Sequence, residues 1–137
     1  MILTAEIAQQ FLNEPDYVDL DDYTSIQDDA AVILAKYKGK CLNLDGLTRL
    51  SDSAAESLRK HQGEGLSLEG LPELSDAAAE ALGKHQGDLW LEGLTELSDA
   101  AAEALGKHQG NLWLDGLTEL SDDAAEALGK HQEGLSL

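Results

Sequence analysis

The side chains able to do chemistry recur at a fixed step along this chain. Trp90 and Trp113 are the two tryptophans and stand 23 residues apart. Each is followed two residues later by a carboxylate, Glu92 or Asp115, and the matching place upstream holds Glu69, Asp45 and Asp21. His61, His85, His108 and His131 recur in the same way, with Tyr37 in the matching place before them. Asp28, Asp52, Asp76, Asp99 and Asp122 make a third series. Residues so far apart meet only if the chain coils back once per step, turning each series into a row.

Each row then has its own chemistry. Neighbouring parallel strands lie roughly 4.8 Å apart, so Asp21, Asp45, Glu69, Glu92 and Asp115 would form a ladder of carboxylates. Unit charges about 5 Å apart repel by about 0.8 kcal/mol in water and about 3 kcal/mol at an effective dielectric near 20. A basic ligand would relieve that repulsion; the plainer reading is a solvated acidic face. Trp90 and Trp113 fall in the adjacent outward row, with Asp19, Asn43, Ser67 and Ser136. Paired indoles suit a binding centre and attract Lys or Arg side chains, or they stack and support the sheet. The expected partner-binding set is therefore Trp90, Trp113, Asp45, Glu69, Glu92 and Asp115.

The remaining rows read as structure. A metal needs convergent ligands, and the histidines follow one another singly, so packing is expected and no metal, with a pH-sensitive stack as the alternative. The third aspartate series falls at helix starts, where a carboxylate favours the helix dipole. Ser-Asp in every copy is a helix start, not a hydrolytic triad. Gly70, Gly93 and Gly116 suit a bend after a strand and lack the G-x-x-x-x-G-K spacing of a phosphate loop. No enzyme activity and no cofactor are expected.

The positioning elements come from one repeated unit. LWLEGLTELSDAAAEALGKHQGN, residues 89–111, is preceded by a near-copy from Leu66 and followed by another from Leu112. Weaker copies start at Leu42 and Val18, each 24 residues before the next. In residues 89–111, Leu89 and Leu91 alternate with Trp90 as in a short half-buried strand. Ser98 is an N-cap, Asp99 the first helical position, and 100–107 is rich in strong helix formers. Ala101, Ala102 and Leu105 share one face, and Gly110 suits a left-handed exit. Residues 1–17 read as a capping helix, with Leu3, Ile7 and Phe11 at helical spacing, Thr4 as N-cap and Pro15 as the stop. Repeats are expected over 18–41, 42–65, 66–88, 89–111 and 112–134 in a single domain, with 135–137 opening a last strand. Leu135 and Leu137 would leave an open edge suited to self-association as a homodimer.

One unit cannot bury its own leucines, so the units must stack. The expected fold is α/β: a right-handed β-α solenoid with a parallel sheet on the concave face and helices on the convex face. Net charge is −18 and pI near 4.2, which argues against nucleic acid and anionic membrane as partners. A single cysteine, Cys41, excludes an internal disulfide. With no basic-apolar leader and no long apolar run, the expected location is cytoplasmic.

The string Leu89-x-Leu91-x-Gly93-Leu94-x-x-Leu97-Ser98-Asp99, then Leu105, resembles a leucine-rich repeat. It is most similar to the cysteine-containing subclass of F-box-type proteins, L-x-L-x-x-C-x-x-I-T-D followed by a helix. Leu94 stands at that pattern's Cys, Leu97 at its Ile, and Ser98-Asp99 at its Thr-Asp; the repeat here is shorter. The resemblance covers residues 18–137. It implies a non-enzymatic protein-interaction scaffold working through its concave face, here toward a basic peptide or protein. Two other functions fit the sequence: a self-assembling structural module, and an acidic decoy imitating nucleic acid.

Overall fold

The computed structural model describes residues 1–131 and 134–136. It is an α/β repeat fold in which parallel strands alternate with helices. The main sheet has five strands in chain order: β3 Cys41–Asn43, β4 Gly65–Ser67, β5 Asp88–Trp90, β6 Leu112–Trp113 and β7 Leu135–Ser136. Between them run α3 Asp52–Leu58, α4 Asp76–Leu82, α5 Asp99–Gly106 and α6 Asp122–Gly129, each packed on its neighbour. The register aligns Leu42, Leu66, Leu89, Leu112 and Leu135 in one row and Asn43, Ser67, Trp90, Trp113 and Ser136 in the next.

Helices of seven or eight residues are marginal alone in water, so packing must hold them. Ala54, Ala55, Ala78, Ala79, Ala101 and Ala102 are fully buried, together with Leu58, Leu82 and Leu105. Small side chains on the inner face let each helix lie close against the strand leucines, which form one continuous core with them. The side chains that alternate with the strand leucines form the outward rows described below.

The N-terminal part departs from the repeat. Residues 18–22 were expected to supply a first strand of the main sheet. They instead lie between and within two short 3-10 turns, Pro15–Tyr17 and Leu20–Asp22. Pro15 and the carboxylates Asp16, Asp19, Asp21 and Asp22 disfavour a strand here. Leu20 is still buried. A separate two-stranded parallel pair, β1 Ile2–Leu3 with β2 Ser25–Ile26, joins the first helix, α1 Ala5–Asn13, to the second, α2 Asp28–Leu34. Leu3 therefore sits in a strand and not on the helix; it is buried, as is Phe11, and Thr4 caps α1 by accepting from Ile7 N.

Two local details also differ. α5 ends at Gly106, one residue before Lys107. Gly110 has a positive φ of +136°, and Gly87 one of +151°. Both stand three or more residues beyond the helix end, where the chain turns back to the sheet.

Candidate functional site

The indoles of Trp90 and Trp113 stack with centroids 4.8 Å apart and planes 9° from parallel. That separation is the strand spacing, so the register of β5 and β6 sets it. Both rings are half-buried on the open face. Trp90 leans back over β4, where a Cβ on Gly65 would lie 2.2 Å from its Cζ3. Gly65 thus provides the space the indole fills. On the other side, Trp113 is followed in its row by Ser136, too small to continue the stack.

The carboxylate row divides into two kinds. Asp45 accepts the Ser67 hydroxyl at 2.5 Å and the Glu69 backbone N–H at 3.0 Å. Asp115 accepts the Ser136 hydroxyl. A short aspartate thus precedes each serine and is held by it. Glu69 and Glu92 precede Trp90 and Trp113, which offer no hydroxyl, and neither side chain has a hydrogen-bond partner among the described residues. The ion pairs among those residues, Glu56–Arg59 at 2.7 Å and Glu103–Lys107 at 3.8 Å, lie on the helices. No basic side chain therefore neutralises Glu69 or Glu92 there.

The electrostatics follow this division. The Glu69 carboxyl is pushed above its ordinary range by partial burial and then by Asp45 and Glu92. Asp21 is raised by burial and by Asp19, Asp45 and Asp22. Repulsion along the row is therefore real at Glu69 and at the Asp21–Asp45 step. The expectation of one uniform ladder is too simple, because Asp45 and Asp115 are already bound within the protein. The free acidic groups beside the indoles are Glu69 and Glu92.

A further outward row, Cys41, Gly65, Asp88, Asn111 and Gly134, was not singled out from sequence. Asp88 Oδ1 accepts from Asn111 N at 3.2 Å, and Asn111 Oδ1 accepts from Gly134 N at 3.0 Å. Its signal in sequence is one polar or small residue before each Leu-x-Leu. Leu135 pairs with Leu112 and is half-buried, and Leu137 lies outside the described residues.

The helix-start row does more than support dipoles. Ser51, Ser75, Ser98 and Ser121 each accept from the N–H three residues on, at 3.0 to 3.1 Å. Each also donates to the aspartate of the preceding copy, Asp28, Asp52, Asp76 or Asp99, at 2.5 to 2.6 Å. The same hydroxyl caps its own helix and ties it to the previous one.

The histidines stack at 6.2 Å for His61–His85, 6.3 Å for His85–His108 and 5.9 Å for His108–His131. Tyr37 continues the column onto His61 at 6.3 Å. Among the described residues, no group of three or more His, Cys, Asp or Glu side chains is placed to hold a metal ion. No described helix is long and apolar enough to cross a membrane. Set against family models, curated proteins and solved structures, the chain matches none.

Proposed function

We propose that this chain is a leucine-rich-repeat-like protein, similar to the F-box-type subclass, coiled as a right-handed solenoid. Its concave sheet face is a non-enzymatic scaffold for a basic peptide or protein. The repeat period, the parallel register and the strand-helix alternation support the coil. The observation that carries the binding reading is the pair of unpinned carboxylates, Glu69 and Glu92, beside the stacked indoles. Their repulsion is unrelieved among the described residues, and a Lys or Arg side chain supplies the missing charge. The half-buried indole of Trp113 offers that cation an aromatic surface, a contact worth about 0.5–2 kcal/mol.

The test uses the two tryptophans as reporters. An arginine-rich peptide titrated into the protein is expected to change indole emission, with an affinity that falls as salt rises. Glu69→Gln with Glu92→Gln should weaken binding about tenfold or more. Asp45→Asn should lower stability and leave affinity nearly unchanged. Equal affinity for the wild type and the double variant would refute the reading, as would no binding at low salt.

A further inference from the structure

We propose that the buried imidazole column of His61, His85 and His108 is a cooperative acid-release device: neutral rings join successive copies, and protonation parts them. The column is separate from the open face, so this inference is independent of what binds there.

Geometry carries it. His85 is fully buried, and His61 and His108 are 2% exposed. Neighbouring planes lie within 4° of parallel along His61–His85–His108. Neither ring nitrogen of these three has a hydrogen-bond partner in acceptable geometry among the described residues. Backbone groups of Gly39, His61, His85 and Gly87 lie close enough to the rings to favour their charged forms. Burying an imidazole without a well-formed hydrogen bond is costly, and an apolar side chain would fill the same space without that cost. What imidazole adds over an apolar residue is titration near neutrality.

Burial opposes a proton on each ring more strongly than the nearby backbone groups favour it. The groups facing the column are Tyr37 at one end, His131 at the other and Asp88 near His108. The groove between α5 and α6 beside His108 also holds Asp99, Glu103, Lys107, Asp123, Glu126 and Lys130. Asp88 favours charge on His108, while His131 opposes it. Burial pushes His61 and His108 below the ordinary imidazole value, and burial with its two neighbours pushes His85 down to about 4. Adjacent imidazolium ions about 6 Å apart repel, so a ring charges most readily once the stack has opened.

The sign follows from proton binding. Unfolded histidines protonate near pH 6.5, while the stacked rings stay neutral to lower pH. Between those values the unfolded chain binds more protons, so stability is full above about pH 6.5 and falls as pH falls. Each buried ring costs up to about tenfold in the folding equilibrium per pH unit within that window.

The experiment is urea unfolding of the full chain from pH 8 to pH 5 at fixed ionic strength, with NMR titration of the imidazoles in the folded wild type. Net proton uptake on unfolding near pH 5.5 is expected, with His61, His85 and His108 titrating below the ordinary imidazole value. His61→Tyr, which repeats the residue at Tyr37, should remove about one proton from that uptake. No net proton uptake by the wild type, or ordinary titration of the three rings near pH 6.5, overturns the proposal even if the variant does not fold. Glu69 and Asp21, with raised values, act in the opposite sense as pH falls, so they cannot produce the expected loss.

Discussion

At the scale of single residues, one hydroxyl performs two tasks. Ser98 accepts from Ala101 N and donates to Asp76, so removing it leaves one orphan helix donor and one unbridged carboxylate. Loss of an N-cap serine costs about 0.5–2 kcal/mol. Ser98→Ala is therefore expected to lower unfolding stability by about 1–2 kcal/mol in urea, with helix content kept by circular dichroism. A loss under about 0.3 kcal/mol would show that neither bond matters. The same scale explains the alternation on the open face. Aspartate with serine closes on itself, whereas glutamate with tryptophan stays available. Both patterns occupy equivalent places in the repeat, and the length of the carboxylate together with its partner on the next strand separates them.

At the scale of elements, close approach between coils sets the residue choice after each strand. A Cβ on Gly93 would lie 2.0 Å from the Glu69 carbonyl oxygen, and one on Gly116 would lie 1.9 Å from that of Glu92. These glycines sit in the turn after each strand, as expected, and have no positive φ, so close approach and not backbone conformation demands glycine there. The neighbouring coil's backbone fills the space. Gly93→Ala is expected to destabilise by about 1–3 kcal/mol through overpacking. Gly129→Ala is the control, because a Cβ there meets nothing within 4 Å; at a helix end it should be neutral or stabilising by up to about 1 kcal/mol. Comparable losses in both variants, measured by chemical unfolding, would remove the close-approach argument.

For the whole molecule, a net charge of −18 is spread over 137 residues. Self-repulsion of this kind opposes compaction and is screened by salt. Raising NaCl from about 0.02 M to about 0.5 M at pH 7.5 should raise the urea midpoint. An unchanged midpoint would mean that acidic rows cost the fold little. The same titration separates fold from binding, since salt should strengthen the coil while weakening any basic ligand on Glu69 and Glu92.

The repeat period, the strand-helix alternation, the caps at Ser51, Ser75, Ser98 and Ser121 and the rows themselves were all legible in sequence. Each follows from local chemistry multiplied by a 23- or 24-residue step. The register then placed Trp90 against Trp113 because like residues of like coils must pair. Three things needed coordinates. Residues 18–22 left the sheet, since a run of carboxylates behind Pro15 suits turns better than a paired strand. The acidic row split into bound aspartates and free glutamates, a matter of which side chain reaches across to the next strand. The imidazoles of His61, His85 and His108 proved to be buried, which spacing cannot reveal because burial depends on how closely the neighbouring repeats are drawn together.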